Sequence, residues 1–531
     1  MIFDAPDVPP RKSSVLLGGG LILLLALNLL VYGPSLQFGF LIGADDQAYI
    51  FRNPYLRDLS LANLLDIFSH THVFHTYVPL TMLSYSLDYT LWKFNPMGYH
   101  LTQILLQTGN AFLIFLLLRR LKISTGLAFG TALIYSIHPI HTESVAWISE
   151  RKNLLSAFFI LSSLFFYVRY TQEPERARRH WAASWLLFVC ALLSKTLAVG
   201  LPFILILYDL CLAGRGWRLY EKIPFLAGSI FFALLTLYGE GVKAGALADY
   251  AGGSLWINLL FTSRVYLDYL LSLLFPFQLS PYYHYLPWDL ESGKSILSYL
   301  LVPVVLVAAL NWRKRPLLTF AVGWFVIWAL PYSNIVPVNT LRQDRYIYLP
   351  SLAVIFVVLR GMFDNRWIGA DPRRRLILLG FFVILFGGVT CHYTATFSNI
   401  KTYWLRVARI CPNWSTAQYE AGRAIWLEKK SDPAVPRYYR KAIQKDPGNF
   451  RALNNMGALL LDQENYARAK PYIQRAAEVN PANAEALYNL AVIATKTGRE
   501  TEKIPGWLKK IESINAARKK NDYNLGAFNF R

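Results

Sequence analysis

Val15 to Gly33, VLLGGGLILLLALNLLVYG, is a run of 19 residues without a charge, long enough to cross the hydrocarbon core of a bilayer. Shortly after it comes Gly43-Ala44-Asp45-Asp46-Gln47-Ala48-Tyr49-Ile50. Arg11 and Lys12 precede the run, so its start reads as cytoplasmic and Asp45 as emerging on the outside. No small-residue cleavage site follows, which favours a retained anchor over a removed signal peptide. Two adjacent carboxylates at the edge of hydrocarbon are costly to desolvate; they are either interfacial helix caps or part of a site.

The whole composition agrees with this start. The chain has 531 residues, 54% of them hydrophobic and 15% aromatic, with a mean hydropathy of +0.30. That profile fits a multi-pass membrane protein rather than a soluble enzyme. The net charge of +21 does not call for nucleic acid, because Lys and Arg gather in short loops between apolar runs, as the positive-inside rule expects. Of the four cysteines, Cys190, Cys211 and Cys391 lie in or beside apolar runs and Cys411 stands alone. No disulfide framework is legible.

Further spans are predicted at Gly98–Leu118, Gly126–Ile137, Leu154–Tyr170, Trp181–Leu193, Leu197–Leu212 and Ile223–Tyr238. More follow at Ile296–Leu310, Leu317–Leu330, Tyr346–Met362 and Leu376–Tyr393. The loops carrying Arg119, Arg120 and Lys122, then Arg176, Arg178 and Arg179, then Arg215, Arg218 and Lys222, read as cytoplasmic. Leu255–Phe275 also looks like a span, but full crossing would put Trp312-Arg313-Lys314-Arg315 outside. A re-entrant or surface helix is therefore preferred there, with Arg264 and Asp268 paired at helical spacing and residues 240–295 external. About eleven crossings result, and residues 1–398 form one membrane domain. Residues 43–97 are a long external loop with amphipathic pieces at Leu61–Phe68 and Thr81–Trp92.

From residue 399 the composition becomes that of a soluble helical domain. Asp446-Pro447-Gly448-Asn449 recurs as Asn480-Pro481-Ala482-Asn483, a period of 34 residues, with Ala442 and Ala476 at the same offset. This is the tetratricopeptide period, and it predicts an α-solenoid of about three repeats. A degenerate first copy begins near Pro412, and Pro505–Ile514 caps the stack. The crossing count puts this domain on the same side as Asp45.

Four polar groups share the external side with the aspartates. The first is His138-Pro139-Ile140-His141-Thr142-Glu143, continuing to Trp147 and Glu150-Arg151-Lys152-Asn153; its two His and Glu143 could ligate a metal, but Pro139 breaks the helical geometry such a site needs, so hydrogen bonding to a phosphate or sugar is the preferred reading. Lys195 lies between two apolar runs, where the alternative is snorkelling. Asp344-Arg345-Tyr346-Ile347-Tyr348 stands at the mouth of a span; Arg345 suits a phosphate at headgroup level, and Tyr346 either joins it or anchors the aromatic belt. Arg264 with Asp268 is the fourth, equally readable as a structural pair. Cations can take the charge of a lipid-phosphate leaving group and a carboxylate the proton of an acceptor hydroxyl, which together describe sugar transfer from a polyprenyl-phosphate donor.

Ala44-Asp45-Asp46, Asn95-Pro96-Met97-Gly98-Tyr99-His100, the 138–146 motif and Asp344–Ser351, followed by tetratricopeptide repeats, resemble the transmembrane and tetratricopeptide repeat-containing O-mannosyltransferases and their bacterial relatives. The resemblance implies an all-α fold of GT-C type. It implies a dolichyl- or undecaprenyl-phosphate sugar donor and transfer to Ser or Thr of an exported protein, with Asp45 or Asp46 as general base. Val78 and Thr196 depart from the family pattern, which bears on sugar and acceptor more than on reaction type. The expectation is an inverting, metal-independent transferase of a bacterial inner membrane. Arg345, Lys195 and His138 or His141 stabilise the departing phosphate, Glu143 orients one of them, and the repeats dock the protein acceptor. Transfer to a lipid or glycan, or a non-enzymatic scaffold, are the alternatives.

Overall fold

The structure, a computed structural model, describes residues 10–70, 73, 76–239, 249–311, 313–337, 340–365 and 371–524, with side chains from 17 to 517 except 287 and 288. The polar N-terminus, part of the 240–295 segment and Trp312 of the basic cluster fall outside it. Among the described residues there are helices and no β-strand. Contacts divide the chain into two compact units, 1–399 and 400–531.

The first unit begins with α1 (Pro10–Tyr32), α2 (Leu61–Ser69), α3 (Pro79–Trp92), α4 (Pro96–Arg120) and α5 (Thr125–Ile137). It continues through α6 (Thr142–Ala146), α7 (Arg151–Gln172), α8 (Ala177–Ser194), α9 (Leu201–Tyr208), α10 (Leu219–Thr236) and α11 (Leu255–Leu274). It ends with α12 (Gly293–Ser298), α13 (Leu301–Leu310), α14 (Pro316–Ala329), α15 (Ser351–Asp364) and α16 (Pro372–Thr394). Asn95 and Asp371 start α4 and α16: each side chain accepts a hydrogen bond from the backbone N–H two residues on, at 3.1 and 2.8 Å, with Pro as the first helical residue.

Eight helical segments among the described residues are long and apolar enough to cross a membrane: Leu17–Gln37, Pro96–Arg120, Ile148–Gln172, Thr196–Ala213, Leu219–Gly239, Leu255–Leu274, Gly293–Leu310 and Pro372–Phe397. Thr125–Ile137 and Pro316–Tyr332 are shorter apolar helices. Leu310 and Ile384 are 83% and 79% exposed, an arrangement suited to lipid rather than water. The segment expected to re-enter at 255–275 is one continuous helix of 20 residues. The continuous helix has no turn at which the chain could double back, so of the two forms expected here it is compatible with a surface helix and not with a re-entrant one. The span expected to begin at Tyr346 instead opens with a 3₁₀ turn, Asp344–Ile347, and becomes α-helical only at Ser351.

The bundle has two polar ends. Arg120 on α4 pairs with Glu173 after α7 at 2.7 Å, and Arg215 pairs with Glu221 on α10 at 2.8 Å; these contacts tie together one end. The starts of α6 and α7, the end of α8 and the end of α14 meet at the other.

The second unit contains α17 (Ile400–Ile410), α18 (Ser415–Glu428), α19 (Ala434–Lys445), α20 (Phe450–Asp462), α21 (Tyr466–Val479), α22 (Ala484–Thr497) and α23 (Ile504–Asn524). The sequence period appears as geometry: Asn449 caps α20 and Asn483 caps α22 through bonds of 3.0 and 3.2 Å to the N–H three residues on. Ala442 and Ala476, at equivalent places, are fully buried where paired helices touch. Gly457 is required by close packing, since a Cβ there would lie 2.2 Å from Cγ1 of Ile473. Gly457→Ala is expected to destabilise this unit by about 1–3 kcal/mol, read as a lower thermal midpoint by circular dichroism.

Candidate active site

The site grows from the loop after α1. Asp46 is 1% exposed and fully engaged: Oδ2 accepts from Leu41 N at 2.9 Å, and Oδ1 accepts from Ser149 N at 3.0 Å and from the Ser149 hydroxyl. It latches the loop to the 3₁₀ turn Ile148–Glu150, just before α7. Burial pushes its carboxyl up to about 6, against the pull of these hydrogen bonds. Asp45, one residue earlier, is partly exposed and lies in the fields of Lys152, Arg345 and Glu150. Burial raises its pKa above the ordinary carboxylate value, while Lys152 and Arg345 pull it back down.

The first residue of α7 is an anchor. Arg151 is wholly buried, pairs with Asp88 on α3 at 2.5 Å, sits 4.6 Å over the Tyr85 ring and donates to the Tyr99 carbonyl at 3.0 Å. With Arg151 fixed, its neighbours face the site. Glu150 Oε1 lies 3.3 Å from Arg345 Nε and 3.5 Å from Lys152 Nζ, and its Oε2 accepts from Asn153 at 2.6 Å. Lys195, extended at the end of α8, donates to the Asn153 side-chain oxygen and lies 5.7 Å from the Tyr332 ring centre. Lys152 also reaches the Tyr49 hydroxyl at 3.4 Å.

Arg345 is held from both ends. Glu143 Oε1 pairs with its Nη1 at 2.6 Å, Glu143 Oε2 accepts from its backbone N–H at 2.9 Å, and the guanidinium stands 5.2 Å from the Trp147 ring. Tyr346 stacks on Tyr332 with ring centres 4.0 Å apart and planes 7° from parallel. Three cations, Lys152, Lys195 and Arg345, thus converge around Glu150, with Asp45 beside them. A dense cationic cluster of this kind can receive a phosphate, and the adjoining carboxylate can accept a proton.

Of the sequence candidates, Asp45, Glu143, Lys195, Arg345 and Tyr346 come together, and Asp46 braces them. His138 and His141 lie elsewhere, in the helix packing. His138 Nε2 is 3.0 Å from the Leu273 carbonyl, and His141 bridges the Tyr135 carbonyl at 2.7 Å and Ser351 Oγ at 2.8 Å. Both are fully buried at the junction of α5 and α6. With those partners each ring joins helices rather than sharing a ligand with Glu143, which spends both oxygens on Arg345.

Arg264 belongs to a separate knot with Asp268, at 3.1 Å. Val78 is the buried residue before α3, and Thr196 bonds Thr236 at 2.7 Å. Sequence reasoning counted Glu150, Lys152 and Asn153 in the continuation of the His138–Glu143 group without giving them separate roles, and gave none to Tyr49 and Tyr332. A signal was present: Glu150-Arg151-Lys152-Asn153 is a polar run opening a 22-residue helix that is apolar for most of its length.

The described residues define a multi-pass helical membrane protein with a tetratricopeptide domain, and a tetratricopeptide repeat family model matches residues 454–519. The chain is similar to protein O-mannosyl-transferase TMTC4 of Homo sapiens, 25% identical over 430 residues that cover 68% of this chain and 57% of that protein. It is likewise similar to protein O-mannosyl-transferase F38B6.6 of Caenorhabditis elegans, 25% identical over 479 residues, covering 84% and 65%. The chain thus spans about three fifths of the length of these relatives. Among solved structures, ArnT from Cupriavidus metallidurans bound to undecaprenyl phosphate aligns with a TM-score of 0.43 at 17% identity, over 88% of this chain and 80% of that one. An Archaeoglobus fulgidus oligosaccharyltransferase tethered to an acceptor peptide aligns with a TM-score of 0.39 at 13% identity, over 81% and 59%.

Proposed function

We propose that this protein is a membrane glycosyltransferase of GT-C type that moves a hexose from a polyprenyl-phosphate donor to Ser or Thr hydroxyls of exported proteins. The observation that carries the reading is the partly exposed Asp45 beside Lys152 and Arg345, which with Lys195 surround Glu150 at one end of the membrane bundle. The names of the curated relatives support the same reaction.

In this reaction Asp45 accepts the proton of the acceptor hydroxyl as its oxygen bonds to the anomeric carbon. The bond from that carbon to the phosphate oxygen breaks, and the electron pair leaves with the lipid phosphate. Attack opposite the leaving group inverts the anomeric centre. Arg345 and Lys195, with Lys152, take up the charge that develops on the phosphate, so no metal is needed for that task. Asp46 holds Asp45 in register, and Glu143 keeps Arg345 extended. The repeat domain docks the acceptor. The protein lies in a bacterial inner membrane, with its N-terminus cytoplasmic and its repeats and Asp45 outside.

The test is intact-mass glycoproteomics of exported proteins from cells with the wild-type chain and with Asp45→Asn. Loss of a hexose mass from Ser/Thr peptides is the expected result; a change confined to a lipid or polysaccharide would redirect the acceptor, and no change at all would point to a scaffold. The pH profile gives a second check. Transfer requires ionised Asp45, so kcat/KM rises with pH through the pKa of that carboxyl. Removing the positive charge of Lys152 lets that pKa climb, and Lys152→Met is expected to move the acid limb to higher pH.

A further inference from the structure

Between α11 and α12, residues 276–286 run without regular helix, and two tyrosines pin the segment. Tyr283 donates to Asp344 Oδ1 at 2.8 Å, accepts from Ser280 N at 2.9 Å and lies under the Arg342 guanidinium at 3.7 Å. Tyr285 donates to Asp268 Oδ2 at 3.0 Å and accepts from Arg342 at 3.3 Å. Arg264 closes the knot through Asp268, and Arg342 Nη2 also reaches Ser272 Oγ at 2.6 Å. The knot has a direct line to the site, because Asp344 is bonded in sequence to Arg345.

Tyr283 and Tyr285, two residues apart, both reach Arg342, the alternation of an extended chain in which neighbouring side chains point to opposite sides. With Tyr283 and Tyr285 committed to the knot, Tyr282 turns the other way. It is partly exposed, and its phenol lies in the fields of Arg345, Asp45, Glu143 and Tyr346. A flat ring with a hydroxyl at its edge, within reach of Arg345 and Tyr346, suits a pyranose. Its C–H face can lie on the ring while its hydroxyls bond to the phenol.

We propose that Tyr282 is a specificity-determining residue that contacts the hexose of the lipid-linked donor, and that the Arg342–Asp268–Asp344 knot is the device that aims it. The proposal rests on the donor class named above. It assigns the sugar to the 280s segment and leaves the phosphate to the cations.

The experiment is tryptophan-fluorescence titration of the full-length protein in detergent with undecaprenyl phosphate and with undecaprenyl-phosphate mannose. Wild type, Tyr282→Ala and Tyr282→Phe are compared, each checked for a wild-type gel-filtration profile. The expected result is that Tyr282→Ala binds the bare lipid phosphate as wild type does and the mannosylated lipid about tenfold more weakly, a loss of about 1.4 kcal/mol. Tyr282→Phe, which keeps the ring, should fall between them. Equal weakening of both lipids, or of neither, overturns the role of Tyr282 while leaving the donor reading intact. If wild type binds neither lipid, the donor reading itself falls and this assignment with it.

Discussion

Asp45→Asn is expected to lower sugar transfer by about 10²–10⁴-fold, the usual range for losing a general base, with donor affinity close to wild type. The amide is nearly isosteric and cannot accept the acceptor proton. The site supports this separation of effects: Asp45 is partly exposed beside the cations, whereas the backbone that carries it is held by Asp46. Asp46→Asn should behave differently. Its two oxygens together accept from Leu41 N, Ser149 N and the Ser149 hydroxyl, and an amide replaces one acceptor with a donor facing donors. The outcome is a lower thermal midpoint together with reduced transfer. Single-turnover transfer and differential scanning fluorimetry on both variants make the test. A full-rate Asp45→Asn enzyme would remove the base assignment.

Arg345→Ala is expected to damage both stability and phosphate recognition. Arg345 neutralises Glu143 at 2.6 Å and Glu150 at 3.3 Å, and both carboxylates have fully buried side chains. Removing the cation strands Glu143 and leaves Glu150 with Lys152 at 3.5 Å, at a cost of about 3–5 kcal/mol for breaking a buried pair. Arg345→Ala/Glu143→Gln should recover part of that stability, because one stranded charge is gone. It should not recover transfer, because the phosphate still lacks its guanidinium. Arg345→Lys should retain charge but lose the geometry that serves Glu143 and Glu150 at once. Thermal midpoints and undecaprenyl-phosphate affinity of the three variants separate these effects; recovery of transfer by the double variant would show that Arg345 only neutralises Glu143.

The long-range order of the chain was legible because it rests on local, repeating signals. The helical membrane unit follows from apolar runs, the second unit from the 34-residue recurrence of Asn449 at Asn483. Crossings were less legible: a parity rule made Leu255–Leu274 either re-entrant or a surface helix, and its continuous hydrogen bonding excludes only the first. Within the site, the His138–Glu143 motif reads as one cluster in sequence. The fold divides it, sending both histidines into helix packing and Glu143 to Arg345, which lies 202 residues further along the chain.

By itself the sequence determined a helical membrane protein with a tetratricopeptide domain, and it placed acids and bases where hydrocarbon meets water. Tertiary structure alone decided which of two adjacent aspartates is a brace and which stands beside the cations, and it brought Lys152, Lys195 and Arg345 around Glu150. The physical reason is range. Periodicity and hydropathy are properties of neighbours along the chain, while the state of a carboxylate is set by whichever donors and charges folding carries to within a few ångströms of it.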